Sequence, residues 1–389
     1  VSGQIILITR TNTIYISNVG GNSFIRENAP TNPNTQRVRI VSFNKDKSDE
    51  FIWYGDEDCE DPFSPNCKLV AYITKDNGKS FKKLISGVKS CDFVTPFLET
   101  KVEDNENLIY CSVEDKTESK LRLVSSTNDF RDKKVVFESI VGYALTGHFV
   151  VVASVDSEKK SLKAKVTVDG LVFADADFPH DLHVDVQQAY TVLDSSSLAI
   201  FMHVTTNNED GSEFGSILKS NSNGTSYVLS LDKVNRDRLG YVDYDRIDAL
   251  EGVIITNTVS NPGKEKKKLK TRISHNDGAE WNYLPPPAVD SKGKKYGCTG
   301  QSLAKCSLNL HGFTERADYR DTYSSASAVG LMIGVGSVGE NLAEYSKSST
   351  FLTRDGGLTW KEVKDGVFMW EYGDRGTILV LVNAVEKTN

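Results

Sequence analysis

The chain has 389 residues, 39 % hydrophobic and 25 % charged, with a formal net charge of −7 at pH 7. That balance is ordinary for a soluble protein, and the acidic excess argues against a nucleic-acid partner. No run of 18 apolar residues occurs, so no membrane insertion by this segment is expected. Residues 1–8 lack the charged region and cleavage site of a signal peptide and read as a chain entering mid-fold.

In chain order, β-rich runs alternate with one recurring turn. Residues 4–9 form the first run, followed by Ser17, Gly21, Ser23 and Phe24, a turn without a carboxylate. Residues 68–73 lead into a clean copy: Thr74, Asp76, Gly78, Ser80 and Phe81. Ser126, Asn128, Asp129 and Phe130 make a contracted copy. Residues 149–153 are the next run, ahead of a second contracted copy at Thr167, Asp169, Gly170 and Phe173. Residues 198–203 precede Ser220, Ser222, Gly224, Ser226 and Tyr227, where serine replaces the acid. Residues 252–256 precede Ser274, Asn276, Gly278 and Trp281, where asparagine replaces it. The second clean copy is Thr353, Asp355, Gly357, Thr359 and Trp360, with a final run at 377–382. No window of 11 or more residues carries a helical period, so the expected class is all-β.

The turn is the Asp-box, which recurs once per blade in some β-propellers. Its hydroxyl and carboxylate can bond the turn's own backbone, its glycine supplies positive φ, and its aromatic can pack beneath the hairpin. The copies begin at 17, 74, 126, 167, 220, 274 and 353, so the intervals are 57, 52, 41, 53, 54 and 79. A four-stranded blade needs about 40–50 residues, so each interval reads as one blade, the last with an insertion around Cys298 and Cys306. Seven such turns read as scaffold.

The six cysteines fall in near pairs, Cys59 with Cys67, Cys91 with Cys111 and Cys298 with Cys306, and no Cys-x-x-Cys occurs. Local pairing into three disulfides is expected, which implies an oxidising compartment. Asn223 heads an Asn-Gly-Thr sequon in one of the degenerate turns. The basic stretch 264–270 follows Asn-Pro-Gly and reads as a solvated loop.

Enzyme signatures are poor. A sialidase would show an Arg-Ile-Pro segment, whereas Arg26 is followed by Glu27. The 53 acidic residues leave a two-carboxylate glycosidase open without singling out a pair. His180 and His183, with Asp177 and Asp185, lie three apart on what reads as a polar loop, so no metal site is expected. Residues 334–339 match Gly-x-Gly-x-x-Gly but have no following helix and read as a glycine-rich turn. The histidines at 148, 180, 183, 203, 275 and 311 are scattered, and no catalytic residue, metal or cofactor is assigned.

Several segments carry a resemblance. Cys298 and Cys306 precede Ser307 to His311, then residues 325–330, the glycines at 334–339, the box at Thr353 and the stretch 370–376. Together with Cys91 and Cys111 these resemble the sortilin family of sorting receptors. Residues 312–316 and 320–325 look like its fungal members, which carry two propellers in tandem, and most like the second. The resemblance implies a ten-bladed Asp-box propeller, of which residues 1–389 supply about seven to eight blades, the first and last blades and a cysteine-rich module lying outside the chain. It implies a luminal ligand-binding domain of a transmembrane receptor that captures soluble vacuolar hydrolase precursors, or their propeptides, in the Golgi and delivers them to endosome and vacuole. A shed fragment would be extracellular. In the animal receptor an arginine pairs with a ligand carboxylate. Leu162 stands at its place here and Lys163 beside it, so Lys163 is the candidate ligand contact. The competing readings are a secreted propeller glycoside hydrolase and an extracellular adhesion or scaffold protein.

Overall fold

The computed structural model describes residues 4–35, 39–57, 59, 67–98, 100–115, 120–156, 161–179, 190–194, 199–264, 266–316, 323–325 and 327–384. His180, His183, Asp185 and Arg320 lie outside these. Among the described residues there is no helix long and apolar enough to cross a membrane. The chain divides into two compact units, one of residues 1–176 with 223–225, the other of 177–222 with 226–389.

The first unit starts with three antiparallel strands, β1 (Ile5–Ile8), β2 (Thr13–Ser17) and β3 (Ile25–Asn28). A four-stranded meander follows: β4 (Val41–Phe43), β5 (Phe51–Glu57), β6 (Lys68–Thr74) and β7 (Lys82–Ser86). The third sheet runs in chain order through β8 (Val88–Phe93), β9 (Ile109–Asp115), β10 (Lys120–Ser126), β11 (Lys134–Thr146), β12 (Phe149–Asp156), β13 (Ser161–Thr167) and β14 (Ala174–Asp175). Its 13-residue strand β11 serves two meanders. The half before a register break near Ile140 pairs with β10, and the half after it pairs with β12.

The second unit repeats the plan. β15 (Tyr190–Asp194), β16 (Phe201–Asn207), β17 (Phe214–Ser220) and β18 (Tyr227–Asn235) form one meander. β19 (Tyr244–Arg246), β20 (Ile254–Val259), β21 (Leu269–Ser274) and β22 (Asn282–Tyr283) form the next, tied to the first where Val234 faces Thr258. β23 (Ser307–Leu310) is followed by a one-turn helix, α1 (Phe313–Arg316), and then by β24 (Met332–Gly339), β25 (Ser349–Thr353) and β26 (Lys361–Lys364). A hairpin of β27 (Phe368–Gly373) and β28 (Ile378–Asn383) ends the described chain.

Each recurring turn begins on the last residue of a strand: Ser17 of β2, Thr74 of β6, Ser126 of β10, Thr167 of β13, Ser220 of β17, Ser274 of β21 and Thr353 of β25. In the clean copies the threonine hydroxyl donates to the carboxylate and accepts the glycine amide. Thr74 Oγ1 lies 2.8 Å from Asp76 Oδ1 and 2.9 Å from Gly78 N, and Thr353 repeats this at 2.7 Å and 3.0 Å. The same carboxylates accept the amides of Ser80 and Thr359 at 2.9 Å each. Asparagine does the same work at Ser274, because an amide oxygen is also an acceptor. The glycine is required twice over. Gly78 has φ 79° and a Cβ there would stand 2.9 Å from Ile16 Cδ1, while Gly357 has φ 90° and would stand 2.5 Å from Ile273 Cδ1. Each clean box thus closes its own hairpin and packs on the sheet before it.

Three sequence expectations change. The turn at Ser126 is not contracted: Phe130 takes the glycine position at φ 59°, its amide bonding Ser126 Oγ at 2.9 Å, while Asn128 accepts the amide of Asp132 at 3.0 Å. Ser220 builds no box. Its hydroxyl accepts the amide of Ile200 at 2.7 Å, and Asn221 closes the hairpin on Ser226 instead. Residues 334–339 are not a turn but most of β24, with glycines that admit a neighbouring strand; a Cβ on Gly336 would lie 2.0 Å from Asn309 O.

Apolar clusters fill the space on both faces of the sheets, as alternation along strands demands. Phe51, Trp53 and Ile14 anchor one, with Phe81 of the first clean box packed against it. Ile273, Met332, Phe351 and Trp360 of the second clean box belong to another.

Candidate functional site

The second unit carries an open cleft of about 670 Å³ lined by Leu193 and the continuous run Tyr244 to Glu251. That volume lies in the range of ligand-binding clefts. The run is held from behind. β19 pairs with β20 over three residues, and the turn after it closes through Ile247 N to Val253 O at 3.0 Å and Leu250 N to Ile247 O at 3.2 Å. Ala249 takes φ 58° at the tip, and Asp248 N donates to Ser324 Oγ at 3.0 Å.

Beneath β19 lies Asp243, buried to 3 % exposure. Its carboxylate accepts Asn235 Nδ2 at 2.8 Å, Asn257 Nδ2 at 3.2 Å and the Thr314 amide at 2.9 Å. Burial raises its pKa, and the hydrogen bonds from Asn235, Thr314 and Asn257 oppose the rise. Gly312 is needed beside it, since a Cβ there would approach Asp243 Oδ1 to 2.4 Å. The clasp fixes α1 to the back of the cleft strand. The signal was present in the sequence as the segment 312–316, which nothing but resemblance had singled out.

Charged and apolar side chains share the lining of the cleft. Among the described residues, Asp245, Asp248 and Glu251 line it together with Arg246. Arg246 Nη1 turns to Asp277 Oδ1 at 3.3 Å, and Lys219 Nζ reaches Asp277 Oδ2 at 2.6 Å. The apolar part of the lining comes from Leu193, Ile247 and Leu250.

Lys163 sits exposed on β13 in the first unit, opposite Ser154 of β12, and is not among the residues lining the cleft. Asn223 is exposed at the tip between β17 and β18. Disulfides join Cys59 to Cys67, Cys91 to Cys111 and Cys298 to Cys306. Asp56 clusters with Cys59 and Cys67, but both sulfurs are consumed in the bridge and Asp56 Oδ2 accepts Thr35 N at 2.7 Å, which leaves no thiolate for a metal. The basic stretch is less solvated than expected. Lys267 reaches Arg236 O at 2.7 Å and Lys270 reaches Ala304 O at 2.7 Å, tying the loop to the sheet.

One constellation imitates a catalytic triad. His311 Nε2 lies 2.9 Å from Ser348 Oγ, and its Nδ1 meets the Glu315 carboxylate. Ser348 is only 3 % exposed and its hydroxyl also bonds Glu344 O at 3.2 Å, so the oxygen has no path to a substrate carbonyl. The geometry is that of a support for α1.

The model of the family described as "Sortilin, neurotensin receptor 3" (Sortilin-Vps10) matches residues 1–389. The chain belongs to the Sortilin-Vps10 family. Among its relatives, "Vacuolar protein sorting/targeting protein 10" of Debaryomyces hansenii is 64 % identical over 390 residues, covering all of this chain and 25 % of that protein. The protein of the same name in Candida dubliniensis is 58 % identical over 395 residues, again all of this chain and 25 % of that one. "Vacuolar protein sorting/targeting protein PEP1" of Saccharomyces cerevisiae is 49 % identical over 355 residues, 90 % of this chain and 22 % of that one. The chain therefore spans about a quarter of the curated Sortilin-Vps10 relatives it matches. A solved β-propeller domain of the Trilobed protease from Pyrococcus furiosus aligns over 93 % of this chain and 91 % of that one, with a TM-score of 0.39 and 11 % identity. In this member the antiparallel meanders described above, with their Asp-box turns, give an all-β chain.

Proposed function

We propose that this chain is a luminal ligand-binding segment of a sorting receptor that takes soluble vacuolar hydrolase precursors, or their propeptides, from the Golgi towards endosome and vacuole. The observation that carries the reading is the family match over the whole of residues 1–389, with relatives named for vacuolar sorting. Three disulfides and an exposed sequon agree with a luminal or extracellular compartment. The segment is one part of a ten-bladed ring whose remaining blades belong to the parent receptor. Its role is capture without chemistry, and the cleft along Tyr244 to Glu251 is the seat for a cargo peptide, with Lys163 a separate candidate contact.

Immobilised protein incubated with a vacuolar carboxypeptidase precursor, its mature form and a panel of fluorogenic glycosides tests this. Retention of the precursor over the mature enzyme, with glycoside turnover no greater than a heat-killed control, is expected. Equal retention of both forms counts against cargo capture, and turnover above the control counts for a hydrolase.

A further inference from the structure

We infer that Asn223 carries an N-linked oligosaccharide. The inference rests on the luminal placement proposed above and adds a covalent modification to it. Asn223, Gly224 and Thr225 make the one Asn-x-Ser/Thr triplet in the 389 residues. A sequon alone is a weak signal, and the local fold is what strengthens it.

Elsewhere in this series of turns the asparagines are already spent. Asn128 Oδ1 accepts the Asp132 amide at 3.0 Å, Asn276 Oδ1 accepts that of Glu280 at 2.9 Å, and Asn77 Oδ1 accepts Gln4 Nε2 at 2.9 Å. The turn after Ser220 abandons the box and divides the work differently. Asn221 closes it, its N donating to Ser226 O at 2.8 Å and its Oδ1 accepting Ser226 N at 3.3 Å. Asn223 stands between these two residues, exposed and ahead of Gly224 at φ 72°, and takes no part in the closure. Ser220 still pairs with Tyr227, so β17 and β18 keep their register while Asn223 sits at the tip. A glycan is bulky and hydrated, and a fold accommodates it only where its asparagine reaches solvent. This turn meets that condition without giving up a hydrogen bond of the hairpin.

The transfer needs a donor of one chemical class, an oligosaccharide linked through diphosphate to a polyisoprenol. Asn223 Nδ2 forms a bond to C1 of the first N-acetylglucosamine as the C1–O bond to the diphosphate breaks. The lipid diphosphate leaves, and Nδ2 gives up one of its two protons to the surrounding base. Nothing is oxidised or reduced.

The test uses the full-length protein that contains this chain, isolated from the cells that make it, with free thiols blocked before digestion. Peptides are treated with a glycan-releasing amidase in water enriched in heavy oxygen, which turns a glycosylated asparagine into labelled aspartate. Labelled aspartate at position 223 is expected, together with a bridged Cys91–Cys111 peptide. The label should be lost in Asn223→Gln and in Thr225→Ala, and kept in Thr225→Ser, which preserves the acceptor hydroxyl. Unmodified asparagine, or aspartate without label from spontaneous deamidation at Asn-Gly, overturns the glycan while the bridged cysteines leave the luminal reading standing. Blocked free thiols at Cys91 and Cys111 beside an unmodified Asn223 overturn both. A glycan that persists on this peptide in Asn223→Gln overturns the assignment to Asn223.

Discussion

At the scale of single residues, two glycines in left-handed backbone, Gly87 between β7 and β8 and Gly357 of the second clean box, separate two costs. Gly87 has φ 73° with nothing within 4 Å of its would-be Cβ, whereas Gly357 has φ 90° and a 2.5 Å approach to Ile273 Cδ1. Gly87→Ala should therefore cost only left-handed strain, about 1 kcal/mol, and Gly357→Ala about 2–4 kcal/mol once overpacking is added. Urea midpoints of the two variants check this, and equal shifts would remove the role of the box glycine in packing one sheet on the next. His203 gives a second residue-scale expectation. It is fully buried on β16, and burial together with the charge of Arg236 lowers its pKa to about 3 against a weaker opposing contact at Val234. The unfolded state binds a proton near pH 6.5 that the folded state refuses, so stability falls as pH drops from about 6.5 towards 3. The slope for one proton is about 1.4 kcal/mol per pH unit, or about 2 kcal/mol between pH 6.5 and 5. His203→Leu should flatten that part of the stability–pH curve, and an unchanged slope would place the proton elsewhere. The box aspartates behave oppositely. Desolvation pushes Asp76 and Asp355 up, hydrogen bonds from Ser80 and Thr359 outweigh it, and both end below the usual value. Their contribution is present above about pH 3.8 and is lost only as pH falls through the lowered folded value, so the boxes stay charged at pH 5.

At the scale of elements, α1 is held by the Asp243 carboxylate through Thr314 and by His311 through Glu315. Asp243→Ala would remove the acceptor of the Thr314 amide and one of the two acceptors that Asn235 Nδ2 and Asn257 Nδ2 each use, at about 2–4 kcal/mol for the set. Hydrogen exchange at residues 311–316 should accelerate in that variant, and protection equal to wild type would mean that His311 and Ser348 hold the helix alone. The strands and the two clean boxes were legible because hydroxyl, carboxylate and glycine must each occupy a fixed backbone position. Ser126 misled because a bulky Phe130 sits where glycine is cheaper, and the hydrogen-bond ring closes regardless. Ser220 misled because its neighbours mimic the composition of the turn while its hydroxyl serves the preceding strand. The cleft was not legible, although eight of its residues are consecutive. In sequence, Tyr244 to Glu251 is a short polar strand and a turn, and only the pairing with β20 shows which side faces solvent.

At the scale of the molecule, polar corners brace tandem meanders, and the second unit carries an open cleft with carboxylates in its lining. A rigid scaffold lets modest contacts accumulate because little entropy is lost on binding. The direct measurement is equilibrium binding of a vacuolar carboxypeptidase propeptide to the wild-type protein and to Ala249→Trp, which fills the mouth of the cleft from an exposed position. Matched melting curves would establish that the variant is folded. An affinity loss of at least about tenfold in the folded variant is predicted. Unchanged affinity would contradict the assignment of the cleft as the cargo seat.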